Sequence, residues 1–104
     1  MWVRSAYWCG QPKAGHEVAF TQAANDLVPA LERLPGVLDA VALWPRRLED
    51  DPPAIACQIL VRFESQAEVD RMLASPERAA LRAHVREVAK MFDGTISHID
   101  FEAG

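Results

Sequence analysis

The sequence lacks the residues and motifs that mark the commonest metal and nucleotide sites. It has only two cysteines, Cys9 and Cys57, and no C-x-x-C pair, and two cysteines alone do not make a metal framework. It also contains no G-x-S-x-G, phosphate-loop, H-E-x-x-H or dinucleotide-binding motif. We therefore expect no metal site and no flavin, nicotinamide or nucleotide cofactor. Haem, which a single histidine can ligate, stays open through His84 or His98.

Long apolar runs and clustered positive charge are missing as well. No run approaches the ~20 apolar residues of a membrane span, and the N-terminus (MWVRSAYWC) lacks the apolar core of a signal peptide. The formal net charge is −4, and the arginines are dispersed among acids. We expect a soluble, cytoplasmic protein that binds neither nucleic acid nor membrane. Its length predicts one domain over residues 1–104.

The first third of the chain reads as a strand and then a helix. Residues 2–9 (WVRSAYWC) are rich in aromatic and β-branched types, which favour strands. Over 16–34 the apolar residues recur every three or four positions, which predicts a helix. Pro29 should kink or briefly break that helix, and Pro35-Gly36 should end it.

Two strands and a second helical stretch follow. Residues 37–46 (VLDAVALWPR) predict one strand, and residues 55–63 (IACQILVRF) predict the next. In the latter, alternate residues share one apolar face, namely Ile55, Cys57, Ile59, Val61 and Phe63. Ser65 with Glu68 forms a capping box that begins a helix, and Ser75-Pro76 begins a second helical piece.

The end of the chain completes the pattern. The second helical piece carries a predicted buried stripe, which consists of Leu81, His84, Val85, Val88 and Phe92. Asp93-Gly94 should close that helix, and residues 95–102 (TISHIDFE) predict the last strand. The order β-α-β-β-α-β predicts a ferredoxin-like α+β fold, a four-stranded antiparallel sheet with both helices on one face.

The sheet face without helices is not plainly polar. If Ile59 faces the helices, then Ala56 and Leu60 face away, and in the first strand Trp2 and Trp8 share one parity. Exposed tryptophans would be costly unless another subunit covered them. We therefore expect a homodimer formed through the open sheet face.

Two stretches of sequence resemble a known family. The segment VPALERLPGV, residues 28–37, is similar to the EthD family of the dimeric α/β-barrel superfamily, in which a proline in the first helix precedes a Pro-Gly by a short spacer. The segment FESQAEVDRMLASPERAAL, residues 63–81, resembles the second helical stretch of that family. The resemblance covers most of the chain and implies two ferredoxin-like subunits packed sheet against sheet.

The sequence departs from the family pattern in the first helix. Leu27 occupies the position of the family's histidine, and Ala23 that of its tryptophan. A leucine can neither transfer a proton nor ligate a metal. The resemblance therefore implies the fold and the dimer more than a catalytic residue.

Four residues are candidates for polar or catalytic roles, each with a plain structural alternative. His84 on the predicted buried stripe could be a general base, or a core histidine bonded to a backbone carbonyl. His98 and Asp100 share a strand face and could form a pair that raises the histidine pKa, or simply a polar strand edge. Tyr7 could hold a ligand through its phenol, or be a core tyrosine with an internal partner.

Together these residues define a hypothetical pocket between helices and sheet. Its apolar walls would come from Phe20, Leu27, Leu31, Val85 and Val88. Tyr7, His98 and the catalytic candidate His84 would supply the polar contacts. The resemblance implies a small hydrophobic or aromatic organic ligand and cofactor-free oxidation, isomerisation or cyclisation. The alternatives are a non-catalytic binding protein and an isomerase that uses the His98–Asp100 pair.

Overall fold

The computed structural model describes residues 1–104, which form one antiparallel sheet covered on one face by helices. The elements follow in the order β1 (Trp2–Pro12), α1 (Glu17–Glu32), β2 (Asp39–Leu43), β3 (Ile55–Phe63), α2 (Gln66–Leu73), α3 (Pro76–Ala89) and β4 (Phe92–Glu102). The strand order across the sheet is β2-β3-β1-β4. This is the predicted ferredoxin-like βαββαβ arrangement, with its second helix divided into α2 and α3. None of the helices combines the length and apolar composition needed to cross a membrane.

Side-chain caps divide the second helical stretch at the expected place. The Ser65 hydroxyl accepts a hydrogen bond from the Glu68 N–H and begins α2. The Ser75 hydroxyl accepts from the Arg78 N–H at 3.1 Å and donates to the Met72 carbonyl at 2.7 Å. Ser75 therefore ends α2 and begins α3, and each cap satisfies backbone groups that a helix end leaves free.

The first helix tolerates its internal proline and is followed by a turn at a glycine. Helix α1 runs through Pro29 without a break, so the helix does not divide there. The chain then turns at Gly36, whose φ of +83° is the left-handed conformation that glycine adopts most easily. A Cβ on Gly36 would lie 2.7 Å from Glu68 Oε2, so the turn also packs closely against α2.

Strands β1, β2 and β4 differ from the prediction in their bounds, and β1 continues to Pro12 instead of ending at Cys9. Strand β2 is shorter than residues 37–46, and β4 begins at Phe92, so Asp93-Gly94 lies inside a strand and does not close a helix. Gly94 faces Gly10 directly across the β1–β4 pair, and both have positive φ, +151° and +131°. A Cβ on either would clash with the backbone of the other strand. Gly94 therefore allows the two strands to approach closely. The Asp-Gly sequence is also typical of a turn, which explains the wrong prediction.

The strand register decides which face is covered. The buried β3 residues Cys57 and Ile59 face the helices, as predicted. Trp8 lies opposite Cys57, and Trp2 lies opposite Phe63, so both tryptophans also face the helices. The expectation that they cover the open face is wrong, because sequence parity sorts residues into two sets but does not say which set faces inward.

An aromatic cluster forms the centre of the core. Trp8 is 1% exposed, and its ring meets Phe20 and Phe92 edge to face at centroid distances of 5.2 and 5.3 Å. Phe20 and Phe92 stack at 5.1 Å. Such arrangements stabilise beyond the burial of apolar area alone. Cys57 is buried beside this cluster, and burial raises the pKa of its thiol to about 11, so it packs as a small apolar group.

The sheet face away from the helices carries exposed apolar side chains, and we call it the open face. Val41, Leu43, Ile99 and Phe101 are each 40–47% exposed there. Leu60 lies beside Val41 in the β2–β3 pair. The open face is therefore apolar, as expected, although the residues responsible are not the tryptophans.

Candidate functional site

A cavity of about 340 Å³ lies between the helical layer and the sheet. Eleven apolar residues form most of its wall, namely Ala6, Trp8, Leu27, Leu31, Leu34, Ile59, Val61, Met72, Leu81, Val85 and Ile96. The five remaining lining residues are Arg4, Arg78, Arg82, Arg86 and His98. An apolar cavity with a few grouped polar side chains is the usual form of a small-molecule site.

Helix α3 places its arginines along one flank of its inward stripe. Arg78, Arg82 and Arg86 recur every four residues and so lie one above another. The inward stripe beside them is formed by Leu81 and Val85, which line the cavity. The same helix therefore supplies both apolar wall and positive charge.

The paired strands β1 and β4 supply the polar side chains on the sheet side of the cavity, across from α3. His98 lies across from Ala6, and Asp100 lies across from Arg4, so both β4 residues are on the helix-facing side of the sheet. Arg4 Nη1 donates a hydrogen bond to Asp100 Oδ1 at 2.9 Å. The Asp100 carboxylate thus pairs with Arg4, and the structure contains no hydrogen bond between Asp100 and His98.

The environment of His98 favours the neutral imidazole. Desolvation against the cavity wall lowers the pKa of His98, and the positive charges of Arg4, Arg78 and Arg82 lower it further. Asp100 acts in the opposite direction but does not outweigh them. The sequence suggested a carboxylate that raises this pKa, and that expectation is wrong because the nearby arginines were not visible from the strand alone.

Four of the predicted site residues line the cavity together: Leu27, Leu31, Val85 and His98. Two others are buried near it without lining it, since Phe20 belongs to the aromatic cluster and Val88 to the core. Tyr7 lies on the opposite side of the sheet, because its neighbour Trp8 faces the helices. The structure therefore does not bring Tyr7 to the cavity.

His84 lies outside the cavity, on the surface of α3. It is exposed and lines a separate depression with Arg33 and Glu77, where α1 approaches α3. Its expected burial is wrong because Val85, one residue on, takes the inward position and turns His84 to the other flank of the helix. The structure contains no group of three His, Cys, Asp or Glu that could hold a metal ion.

The four arginines that line the cavity were not predicted as site residues from the sequence. A signal for them exists, because Arg78, Arg82 and Arg86 share one helical face at a spacing of four. Arg4 carries no such signal, since its place beside them depends on strand pairing. Trp8 lines the cavity from the helix-facing side of the sheet, whereas the sequence pattern placed it on the open face.

Comparisons with known proteins support the fold. No family model and no curated protein sequence matches the chain. An EthD family protein from Bacillus halodurans C-125 superposes with a TM-score of 0.74 at 13% identity, over 100% of both chains. A dimeric ferredoxin-like protein from Jannaschia sp. CCS1 gives 0.70 at 16% identity, over 99% of this chain and 100% of the other.

A third similar structure is an oxygenase. SnoaB from Streptomyces nogalater, a cofactor-independent oxygenase, superposes with a TM-score of 0.62 at 16% identity, over 98% of this chain and 90% of SnoaB. The chain has the fold of these proteins. The fold that the EthD resemblance implies is thereby confirmed. Sequence identities this low support the fold and not a shared activity.

Proposed function

We propose that the protein binds a small, apolar, aromatic organic molecule in the cavity and acts on it as a cofactor-independent monooxygenase or isomerase. The observation that carries this proposal is the cavity itself, whose wall combines eleven apolar residues with His98, a solvent-exposed histidine whose pKa is lowered. The shared fold with a cofactor-independent oxygenase supports the reaction class. Fold alone does not fix function, so the residues of the site must supply the chemistry.

His98 is the general base in this proposal. An imidazole whose pKa lies below its ordinary value is free to accept a proton at neutral pH. It would take a proton from an acidic C–H of the substrate and leave a carbanion delocalised into the aromatic ring. The positive charges of Arg78 and Arg82 near His98 would favour that anion.

The fate of the carbanion separates the two reactions. In isomerisation, His98 returns the proton to a different carbon. In oxygenation, the carbanion gives an electron to O₂, and the resulting radical pair combines to a hydroperoxide. The hydroperoxide then loses water, so that one CH₂ group and one O₂ become one C=O and one H₂O. The apolar wall would hold the body of the substrate, while His98 acts at the solvent-exposed side of the cavity.

Non-catalytic binding is the second candidate function. The His98 ring makes no hydrogen bond to another protein group, so nothing fixes its orientation in the way that most catalytic histidines require. Leu27 replaces the histidine of the resembling family at the cavity wall. A pocket of this kind could store or sense an apolar molecule without changing it.

The proposal includes a homodimer formed through the open face. Val41, Leu43, Ile99 and Phe101 leave apolar area on that face, and a second copy would remove it from water. A similar structure is described as a dimeric ferredoxin-like protein. Because the cavity lies on the other side of the sheet, dimerisation would leave it accessible.

Deuterium exchange tests the base directly. A panel of hydroxylated one-ring and two-ring aromatic ketones with acidic C–H groups, each with and without a carboxylate, is incubated with the protein in D₂O, and exchange and O₂ uptake are measured. His98→Gln should reduce exchange by about 10²–10⁴-fold, the usual contribution of a general base. His84→Gln, on the outer surface of the same domain, is the matched control and should exchange at the rate of the unmodified protein.

The outcomes separate the two functions. Exchange that survives His98→Gln would remove His98 from the mechanism. Binding of panel members, seen by native mass spectrometry, without exchange or O₂ uptake would favour the non-catalytic function. Failure of every panel member to bind would count against the cavity as the site.

A further inference from the structure

We propose that the ligand carries a carboxylate group, which Arg78 and Arg82 of α3 bind while its apolar body fills the cavity. This inference rests on the proposed function, because it takes the same cavity as the binding site. It adds the charge of the ligand and the residues that select it.

The charges that line the cavity are all of one sign. Every ionised side chain that lines it is an arginine, although the whole chain carries a net charge of −4. Arg4 is neutralised by Asp100 at 2.9 Å. The guanidinium groups of Arg78, Arg82 and Arg86 form no ion pair and no hydrogen bond with the protein. Positive charge without a partner at a cavity is the electrostatic pattern that attracts an anion.

The positions of Arg78 and Arg82 are electrostatically unfavourable when no anion is bound. Arg78 is half-buried, and burial lowers its pKa, with further lowering by the positive charges of Arg82 and Arg4. Like charges four residues apart on a helix also repel one another. A ligand anion between Arg78 and Arg82 would relieve both effects, whereas a neutral ligand would relieve neither.

The chemistry of the anion follows from the groups available. A guanidinium offers parallel N–H donors that match a carboxylate, and at the same cavity Arg4 already binds the Asp100 carboxylate through a single hydrogen bond from Nη1. Guanidinium groups also match a phosphate, but the further backbone donor that a phosphate would gain beside Arg78, the Arg78 N–H, already donates to Ser75. We therefore assign a carboxylate.

The cavity also limits the body of the ligand. Its volume of about 340 Å³ is near the lower end of the roughly 300–1,000 Å³ found for ligand pockets. Leu27, Leu31 and Val85 present only apolar side chains. One ring or two fused rings with a single carboxylate fit this description.

A matched pair of probes tests the charge of the ligand. 2-Naphthoate and 2-naphthamide have nearly the same shape and differ in charge, and isothermal titration calorimetry at neutral pH gives the Kd of each. The naphthoate should bind about tenfold more tightly, as expected for hydrogen bonds to a charged group. Raising the salt concentration should weaken naphthoate binding and leave naphthamide binding nearly unchanged.

Substitution of the arginines assigns the subsite. Arg82→Gln should remove most of the preference for naphthoate without weakening naphthamide, and Arg78→Gln should do the same. Both variants are checked for folding by thermal unfolding, and Arg82 is exposed, so its replacement should not disturb the core. Arg71→Gln is the matched control, because Arg71 lies on α2, pairs with Glu68 at 3.0 Å and does not line the cavity.

Each result has one meaning. Equal binding of the two probes, or a preference that survives both Arg78→Gln and Arg82→Gln, would overturn this inference and leave the proposed function standing. Binding of neither probe would overturn the proposed function together with the inference. Loss of the preference in Arg71→Gln would show a general charge effect and would also overturn the assignment.

Discussion

His98 and Arg4 show how much of a site depends on single positions. The strand pattern correctly placed His98 and Asp100 on one face of β4, because residues two apart in a strand share a face. It did not reveal that Arg4, 96 positions before Asp100 in the sequence, donates a hydrogen bond to the Asp100 carboxylate. The chemistry expected of a His–Asp pair is therefore replaced by that of a neutral histidine among cations.

The pKa of His98 can be measured without any ligand. NMR titration of the histidine ring protons should give a midpoint for His98 below the ordinary value of 6.5, because desolvation, Arg4, Arg78 and Arg82 all disfavour the imidazolium. Asp100 is the one neighbouring group that favours it. His98→Gln identifies the resonance by its disappearance.

Two variants should shift the titration midpoint of His98 in opposite directions. Arg78→Gln removes a positive charge and should move the midpoint upward, whereas Asp100→Asn removes the negative charge and should move it downward. Arg71→Gln, whose charge does not act on His98, should leave it unchanged. A midpoint above 6.5 in the unmodified protein would contradict the proposed neutral base.

At the scale of elements, α3 positions the candidate site. Its N-cap Ser75 is buried and uses its hydroxyl twice, accepting from the Arg78 N–H and donating to the Met72 carbonyl. That cap sets where α3 begins and therefore the position from which the Arg78 side chain projects. The sequence predicted it because Ser-Pro-Glu is a strong start signal.

Removing the cap should cost more here than at α2. Ser75→Ala should lower the free energy of unfolding by about 1–2 kcal/mol, since a buried cap loses two hydrogen bonds. Ser65→Ala, at the exposed cap of α2 with a single bond of 3.4 Å, is the matched control and should cost less than about 1 kcal/mol. Chemical denaturation measures both.

The comparison of the two serines has a clear negative outcome. An equal loss of stability at both positions would mean that the second hydrogen bond of Ser75 contributes nothing. Because Arg78 depends on this cap, Ser75→Ala should also weaken 2-naphthoate binding more than Ser65→Ala does.

At the scale of the whole molecule, the open face raises the question of assembly. The helices cover one side of the sheet, and the other side keeps exposed Ile99 and Phe101 on β4 next to β1. The sequence predicted an apolar open face but assigned it to Trp2 and Trp8. Those tryptophans face the helices, so their replacement would damage the core and not report on association.

A charge on the open face should prevent association. Phe101→Asp should yield monomers in sedimentation equilibrium, because a carboxylate buried between two copies has no partner there. Val18→Asp is the matched control: Val18 is an exposed apolar residue on α1, 73% accessible, and its replacement should leave a dimer intact. A monomer for the unmodified protein at micromolar concentration would refute the dimer.

The sequence by itself determined the elements and their order. Helix caps, the alternation in β3 and the Pro-Gly turn after α1 are local signals, because each depends on neighbours within a few residues. The same signals failed at Asp93-Gly94, where glycine serves a close strand pairing and not a turn.

Only the tertiary structure decided which side of each element faces inward and which distant residues meet. Register put Trp8 in the core and Tyr7 on the open face, and helix rotation put His84 outside and the arginines at the cavity. These outcomes depend on packing between elements far apart in sequence. A local pattern constrains the spacing of side chains along one element, but the direction in which they point is set by the partner that covers them.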